Sequence, residues 1–391
     1  QEGRIKNGDK SGLACDHYNR FDSDYALFSQ LGQNAHSNGF EWSRIIPEED
    51  YVDQDEIEHY HKVLESLKRH NLTAFMTVHH FTIPQWFAKK GGFLKKKNLR
   101  YFKHYCEILA KNFPELEFWN TINEPMIYTL QSFLSGEFPP AKKSFIAFMR
   151  VTRNIMHAHA IAYHTIKEHN PHAQVGLVKN FPYLYQKYFS KGGEKIIASY
   201  VDNVFNQSIL EVIKTGKVPF SSFSRKEFLR DTSDFIGVNY YNVVLFKTVL
   251  GIPVGGSLAF KDQKTTQMGW GVYPEGLYHA IMRTHKMLGK PIYVTENGIA
   301  TLDDEWRKEF IIKHLLVVHK AIKDGANVEG YFYWSSIDNF EWAEGFEPRF
   351  GLIGINYDTQ ERIVRDSAKM YGNIAKNNAL SEDLIEKYAN N

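Results

Sequence analysis

Two short stretches decide the fold: FWNTINEP at residues 118–125 and YVTENG at residues 293–298. Each is an apolar, β-prone run that ends on Asn and Glu beside residues that stop a strand. A proline follows Glu124, and an Asn-Gly turn pair follows Glu296. The sequence therefore predicts two carboxyl groups at the ends of two strands.

The rest of the chain alternates between predicted strands and helices. Residues with period-two or continuous apolar character predict strands over 34–44, 73–80, 116–123, 173–179, 234–240, 291–296 and 328–335. A helical apolar period predicts helices over 21–31, 57–67, 99–112, 145–169, 196–214, 274–288, 306–323 and 365–376. This order is typical of a parallel α/β barrel, whose strand ends share one mouth, so Glu124 and Glu296 are expected to face each other.

The predicted fold is a (β/α)8 TIM barrel that forms a single domain over residues 1–391. Only seven strands are found where a closed barrel has eight. Either the first strand lies upstream of Gln1 or the barrel is open, and we favour an upstream strand because open edges expose unpaired backbone groups. Residues 352–364 predict a hairpin, residues 241–269 a substrate rim without clear period, and the polar end beyond Ala379 a frayed terminus.

Composition excludes several classes of partner. Lys and Arg number 47 against 45 Asp and Glu, a net charge of +2, so neither nucleic acid nor a membrane surface is expected as a partner. The lysine runs at 95–97 and 142–143 are expected to be solvated. Cys15 and Cys106 are too few for a disulfide framework, and no secretory or long apolar segment is present, so a cytoplasmic location is predicted.

Three histidines on one predicted helix, His157, His159 and His164, suggest a metal site at first sight. Residues two apart on a helix point to different sides, so packing or surface roles are favoured over metal binding. The sequence also has no Gly-rich phosphate loop. We therefore expect no metal and no cofactor.

Eight ordered stretches between about residues 15 and 375 resemble glycoside hydrolase family 1, the retaining β-glycosidases that include β-glucosidases and β-galactosidases. The stretches and their first residues are CDHYNRF (15), EWSRI (41), HHFTIPQW (79), FWNTINEP (118), DFIGVNYY (234), GWGVYPEGL (269), YVTENG (293) and WSSIDNFEWAEGFEPRFGL (334). Each could arise by chance, but their combination and order are highly specific.

The resemblance implies a role for each residue that matches a family motif. Glu124 resembles the acid/base, and Glu296 resembles the nucleophile that forms a covalent glycosyl intermediate. Asn123 would bind the sugar 2-hydroxyl, Tyr241 would donate to the nucleophile, and Asn239 would lie near the acid/base. The alternative for each Glu is a surface ion pair, the default for this residue type.

Sugar recognition is implied for His80, Trp334, Glu341 and Trp342, which match positions around the nonreducing sugar. Glu341 can accept hydrogen bonds from two hydroxyls and would repel a 6-phosphate. The phosphoglycosidase branch of the family typically has Ser at this position. The two tryptophans are as consistent with core packing as with a sugar platform. Phe81 stands where the family more often has Trp.

The chain departs from the family at Ser37, where an Arg ordinarily contacts the nucleophile carboxylate. Gly39 further weakens the same strand. Loss of the guanidinium is expected to raise the pKa of Glu296. The opening Gln-Glu-Gly is one residue shorter than the family pattern, so Gln1 is not assigned to the sugar-binding Gln of the family.

Three functions remain open at this stage. The first is a retaining β-glycosidase for terminal, non-phosphorylated β-D-glucosyl, galactosyl or fucosyl residues, with a small β-glycoside or oligosaccharide as its substrate. The second is a catalytically weak or inactive sugar-binding scaffold, which Ser37 favours and the presence of both Glu124 and Glu296 opposes. The third is a 6-phospho-β-glycosidase, which Glu341 disfavours. The oligomeric state is left open.

Overall fold

A computed structural model describes residues 3–184, 199–219, 226–249 and 252–389. Gln1 and the first residues of the predicted 196–214 helix lie outside these ranges. Twelve strands are found in the described ranges: β1 Ala35–Gly39, β2 Thr73–His79, β3 Phe118–Asn123, β4 Gln174–Asn180, β5 Tyr183–Leu184, β6 Phe235–Asn239, β7 Val243–Val249, β8 Ile252–Ser257, β9 Ile292–Asn297, β10 Val328–Tyr333, β11 Ile353–Asn356 and β12 Glu361–Val364.

The α-helices follow the predicted order closely. They are α1 His17–Gln30, α2 Trp42–Ile45, α3 Gln54–Arg69, α4 Gln85–Lys89, α5 Leu99–Asn112, α6 Pro125–Leu130, α7 Phe145–His169, α8 Ser208–Thr215, α9 Lys226–Leu229, α10 Glu275–Leu288, α11 Asp304–Lys323, α12 Asp366–Asn377 and α13 Glu382–Ala389. Short 3-10 segments occur at Lys6–Gly8, Gly92–Leu94, Lys96–Asn98 and Trp342–Glu344, and π-helical segments at Gln131–Ser135 and Asn203–Gln207.

Seven strands form one parallel sheet in the order β1-β2-β3-β4-β6-β9-β10. The side chains of successive residues alternate between the barrel interior and the surrounding helices. In β4, for example, Val178 lines the interior cavity, whereas Val175 and Leu177 belong to the main apolar core with the outer helices. The predicted βα alternation is confirmed.

Aromatic rings close the barrel at the N-terminal ends of most strands. The Phe75 ring stacks on Phe118 at 4.3 Å between centroids and meets Tyr293 edge-on at 5.1 Å. Phe235 completes the cluster, and Gly176 is required beside it because a Cβ there would lie 2.4 Å from the Phe235 ring. The open end of the barrel is therefore the C-terminal end of the strands.

The sheet is open between β1 and β10, since these strands end its order among the described residues. The predicted strand over 34–44 is too long: β1 ends at Gly39, and α2 follows it. The Glu41 side chain accepts from the backbone N–H of Ser43 at 3.0 Å, a cap that starts this helical turn. An eighth strand upstream of the sequence stays a prediction.

Two further regions gain structure that the sequence did not predict. The segment 241–269 contains an antiparallel hairpin, β7 with β8, and β5 pairs in parallel with β7, while its role as a substrate rim stays a prediction. The end of the chain is not frayed beyond Ala379, because α13 forms there and Tyr388 is buried in a cluster with Ile312 of α11. In both places, pairing or packing with distant parts of the same chain stabilises structure that the local sequence does not predict.

The first and last parts of the chain meet beside the open edge. The hairpin β11-β12 has the predicted antiparallel pairing, and its Arg362 gives two hydrogen bonds to Asp24 of α1, at 2.7 and 2.9 Å. Helix α12 also lies close to the end of α1, where Gly372 approaches the Leu31 carbonyl. Among the helices that the structure describes, none is long and apolar enough to cross a membrane.

Candidate active site

Glu124 occupies a bend that the local sequence enforces. Strand β3 ends at Asn123 and α6 begins at Pro125, so Glu124 alone makes the turn and adopts a left-handed backbone with φ of 43°. Such a conformation is rare for a residue with a side chain and tends to occur at functional sites. The Glu124 N–H donates to the Val178 carbonyl of β4 at 2.9 Å, which ties the bend to the sheet.

Two amide side chains hold one oxygen of the Glu124 carboxyl group. Asn239 Nδ2 donates to Glu124 Oε1 at 2.9 Å, and Asn180 Nδ2 donates to the same oxygen at 3.1 Å. Thr295 in turn donates to Asn239 Oδ1 at 2.6 Å, which fixes the amide orientation. Neither amide donates to Glu124 Oε2 in these two bonds.

Glu296 lies on β9 with a different donor. The Tyr241 hydroxyl donates to Glu296 Oε2 at 2.7 Å. Register brings the two carboxyl groups together: Asn180 of β4 pairs with Asn239 of β6, which pairs with Glu296 of β9. The two predicted carboxylates thus lie on one mouth with Asn239 between their strands.

Burial shifts the proton equilibria of both acids. It raises the pKa of Glu124, although the bonds from Asn239 and Asn180 and the charge of Lys179 act in the opposite direction. Burial also raises the pKa of Glu296 well above its usual value, and the neighbouring Glu124 carboxylate raises it further, while Tyr241 opposes the shift. Both carboxyl groups therefore bind a proton more readily than a carboxyl group in water does.

Asn123 and His80 form a second polar contact of the mouth. Asn123 Nδ2 lies 2.9 Å from His80 Nε2, and Asn123 Oδ1 accepts from Asn239 Nδ2 at 3.3 Å. Burial lowers the pKa of His80 to about 4, so the ring is neutral near pH 7. Its Nε2 therefore accepts the hydrogen bond from the Asn123 amide. All of the Asn123 amide atoms are thereby oriented.

Aromatic residues and Glu341 form the opposite wall. The Trp342 ring lies 5.6 Å from His80 and 5.3 Å from Phe81, measured between centroids. Burial raises the pKa of Glu341 to about 7, although a hydrogen bond with Trp334 opposes the shift. Glu341 Oε2 is buried without a hydrogen-bond partner in the part of the chain that the structure describes. A buried, unsatisfied carboxyl oxygen is an acceptor prepared for a ligand hydroxyl.

A cavity of about 680 Å³ runs from this mouth down between β1 and β10. His80, Asn123, Glu296 and Trp334 line it, and so does Ser37 of β1. Ser37 and Glu296 therefore line the same cavity, while an effect of position 37 on the Glu296 carboxylate stays a prediction. The volume is in the range of small-ligand sites.

The structure adds two residues that the sequence reading missed, Lys179 and Asn180. Asn180 bonds Glu124 directly, and Lys179 is fully buried behind it. The detectable signal was the polar pair Lys-Asn at the end of the apolar run VGLV, the same pattern of a strand ending on polar residues that marked Glu124 and Glu296.

The histidines of α7 have partners that explain them. His159 lies 2.6 Å from Thr121 and 3.1 Å from Thr232 through its two ring nitrogens, and His157 bonds the Arg153 carbonyl. Within the described ranges, no group of three or more His, Cys, Asp or Glu side chains is arranged to hold a metal ion.

Comparison with known proteins decides the family. The model for "Glycosyl hydrolase family 1" matches residues 1–380. The chain belongs to glycosyl hydrolase family 1. It is thus a glycosidase with the (β/α)8 barrel of family 1, of which the described residues supply seven parallel strands.

Relatives of the family 1 chain cover nearly all of it. The structure of a β-glycosidase from Pyrococcus horikoshii is 41% identical, superposes with a TM-score of 0.90, and covers 96% of this chain and 88% of its own. Beta-glucosidase A of Thermotoga maritima is 33% identical over 97% of this chain and 91% of its own length. A 6-phospho-beta-galactosidase of Staphylococcus epidermidis is 32% identical over 93% and 89%.

Proposed function

We propose that this family 1 glycosidase hydrolyses terminal, non-phosphorylated β-D-glucosyl, galactosyl or fucosyl residues with retention of configuration. The observation that carries the proposal is the pair Glu124 and Glu296 at the ends of β3 and β9 on one mouth, both held by hydrogen-bond donors. A pair of facing carboxyl groups is what this reaction requires.

In the proposed reaction, Glu296 attacks the anomeric carbon and forms a glycosyl ester while Glu124 gives its proton to the departing glycosidic oxygen. Water then enters, Glu124 takes a proton from it, and the ester to Glu296 is cleaved. Two inversions at the same carbon give net retention.

The donor pattern supports this division of roles. The two amides on Glu124 hold one oxygen and leave the other to exchange a proton with the leaving group. The Tyr241 hydroxyl on Glu296 favours the ionised carboxylate that must attack. Asn123, oriented by His80 and Asn239, is suited to donate to the sugar 2-hydroxyl, a bond that strengthens in the transition state.

Retention is tested by the first sugar released from an aryl β-glucoside. Proton NMR within the first turnovers should show the β-anomer, with the α-anomer growing in only as the sugar mutarotates. An α-anomer as the initial product would contradict the proposed double displacement.

The sugar class is tested with matched aryl β-glucosides and β-galactosides, each with and without a 6-phosphate. The unpaired oxygen of Glu341 supports neutral substrates, since a carboxylate there attracts hydroxyls and repels phosphate. We expect kcat/KM to be higher for the neutral sugars. Preference for the phosphorylated sugars would identify a phosphoglycosidase, the activity named for one relative, and binding without turnover of any of them would identify a sugar-binding scaffold.

We further infer a cytoplasmic location. Cys15 and Cys106 are both buried free thiols, which supports a reducing compartment. Fractionation of the source cells with an antibody against the chain tests this, and recovery outside the cytoplasm would overturn it.

A further inference from the structure

Lys179 is the most unusual residue in the barrel wall. It follows Val175 and Leu177 on the helix-facing side of β4, where apolar side chains pack against the outer helices, yet its side chain is fully buried. An ammonium group in such a place is strongly disfavoured unless its hydrogen bonds are satisfied. If apolar packing were the only requirement at position 179, Leu or Met would fill it.

The surroundings of Lys179 are suited to a charged ammonium. Its Nζ donates to the backbone carbonyl of Asn180 and to Asn206 Oδ1, the latter at 3.3 Å. It also lies over the ring of Phe181 at 4.5 Å and that of Phe205 at 5.0 Å, a favourable cation–π geometry. Two oxygen acceptors and two aromatic faces therefore surround one buried cation.

A buried network holds these acceptors in place. Asn206 donates to the Pro182 carbonyl at 3.0 Å and to Asp202 Oδ1 at 2.9 Å. Asp202 Oδ2 in turn lies 2.8 Å from Arg283 Nη1 of α10. The acceptor oxygen of Asn206 is thus turned towards Lys179.

Asn180 connects this network to the mouth. Its backbone carbonyl receives the Lys179 ammonium, and its side-chain amide donates to Glu124 Oε1 at 3.1 Å. We propose that Lys179 is a positioning residue for the acid/base chemistry of Glu124: its buried ammonium fixes Asn180 and places a positive charge behind the Glu124 carboxyl group. The proposal rests on the acid/base role proposed above.

The sign of the electrostatic effect follows from the charges present. Burial lowers the pKa of Lys179 to about 7, the negative charges of Glu124 and Asp202 oppose this shift, and Arg283 adds to it. In the described parts of the chain, these charged groups act on Lys179 from the turn between β3 and α6, from the residue before the π-helical segment and from α10. A charged Lys179 favours ionised Glu124, so removal of the charge raises the pKa of Glu124.

The experiment compares kcat/KM against pH for the full chain and for Lys179→Met. The basic limb reports loss of the essential acid, so in Lys179→Met it should move to higher pH by about half a unit or more. Lys179→Gln removes the charge but keeps a donor for the Asn180 carbonyl. It should show the same shift in the limb with a smaller loss of kcat than Lys179→Met.

Lys167→Met is the matched control. Lys167 of α7 also donates to a backbone carbonyl, that of Ala173, and forms an ion pair with Asp234, but it lies away from Glu124. Its basic limb should overlay that of the unaltered chain. If the basic limbs of folded Lys179→Met and folded Lys179→Gln both coincide with that of the unaltered chain, the proposal is overturned while the acid role of Glu124 stays intact.

A second measurement follows the Glu124 carboxyl group directly. In the unaltered chain labelled with ¹³C at glutamate carboxyl carbons, and assigned with Glu124→Gln, the Glu124 signal should titrate with one step caused by Glu296 and another caused by the loss of the Lys179 charge. The step caused by Lys179 should vanish in Lys179→Met and in Lys179→Gln, whereas the step caused by Glu296 should remain. Glu124 titration curves that are the same in the unaltered chain and in either folded variant would overturn the proposal. Unchanged hydrolysis of poor leaving groups by Glu124→Gln would instead overturn the proposed function.

Discussion

Glu124 and Glu296 are chemically identical side chains that their neighbours make different. Glu124 receives two amide N–H groups on one oxygen, whereas Glu296 receives a phenol O–H from Tyr241. Loss of a general acid lowers the reaction rate most for substrates whose leaving groups need a proton. Loss of a nucleophile lowers the rate for all substrates.

Glu124→Gln should therefore reduce hydrolysis of aryl glucosides with poor leaving groups by at least ~100-fold, the usual contribution of general acid catalysis. Formation of the glycosyl ester from a dinitrophenyl glucoside, which needs no proton, should persist as a burst in stopped-flow absorbance. Glu296→Gln should abolish both. Equal losses on good and poor leaving groups for Glu124→Gln would remove the acid assignment.

Ser37 is the residue whose substitution should improve the enzyme. The pKa of Glu296 is raised by burial and by Glu124. A nucleophile must be ionised, so under the proposed role of Glu296 activity should fall as pH drops through that pKa. An arginine at position 37, in the same cavity, would favour the ionised form. Ser37→Arg should shift the acidic limb of kcat/KM to lower pH and increase kcat/KM.

Ser23→Arg provides the control, since Ser23 is exposed on α1 and the change adds the same charge away from the cavity. Its acidic limb should coincide with that of the unaltered chain. If folded Ser37→Arg shows neither change, the side chain at position 37 does not act on Glu296.

At the scale of elements, the contact between α1 and α12 depends on a missing side chain. A Cβ on Gly372 of α12 would lie 1.5 Å from the Leu31 carbonyl oxygen at the end of α1. Neither backbone can yield without moving a whole helix. The two helices approach closely because glycine stands at this crossing.

Gly372→Ala should consequently lower the free energy of unfolding by about 1–3 kcal/mol, the usual cost of overpacking. Urea unfolding followed by circular dichroism measures it. Asn373→Ala, on the exposed face of the same helix, should change the free energy by no more than about 0.5 kcal/mol. Equal stability of the two variants would show that the helices separate freely at this crossing.

The whole molecule is tied together by contacts between its first and last parts. Asp24 of α1 is almost completely buried and receives two hydrogen bonds from Arg362 of β12, whose guanidinium also bonds the Cys15 carbonyl at 2.7 Å. Burial raises the pKa of Asp24, but the bonds from His17 and Arg362 outweigh it and bring the pKa below its usual value. This ion pair lies beside the open edge of the sheet.

Arg362→Met should destabilise the fold by about 3 kcal/mol near pH 7, because it leaves a buried carboxylate without its main partner. A lowered pKa contributes stability above the unfolded pKa, near 3.8, and this contribution is lost as pH falls through the folded value. The difference from the unaltered chain should therefore shrink as the pH falls below about 4.

Urea midpoints measured between pH 3 and pH 7 test this, with Arg20→Met as the control because Arg20 pairs with Asp16 in a partly exposed position. Arg20→Met should change stability by less than about 1 kcal/mol. A difference for Arg362→Met that is independent of pH would show that the arginine acts through packing and not through the Asp24 charge.

The sequence by itself determined the alternation of strands and helices and the position of both carboxyl groups. These features depend on local properties: apolar period sets the element type, and a proline or an Asn-Gly pair fixes where a strand ends. The helices over 99–112 and 145–169 agree at both ends with the structure. The family motifs predicted the candidate site for the same reason, since each is a continuous stretch.

Only the tertiary structure decided what surrounds those groups. The row Asn180, Asn239 and Glu296 exists because the register of three neighbouring strands aligns residues far apart in the chain. The rim hairpin and helix α13 form through pairing and packing with other elements. Lys179 is buried because β4 is covered on both faces, which a short sequence window does not reveal. Register and burial are properties of the folded chain, so the pKa of Glu124 is determined by the tertiary structure.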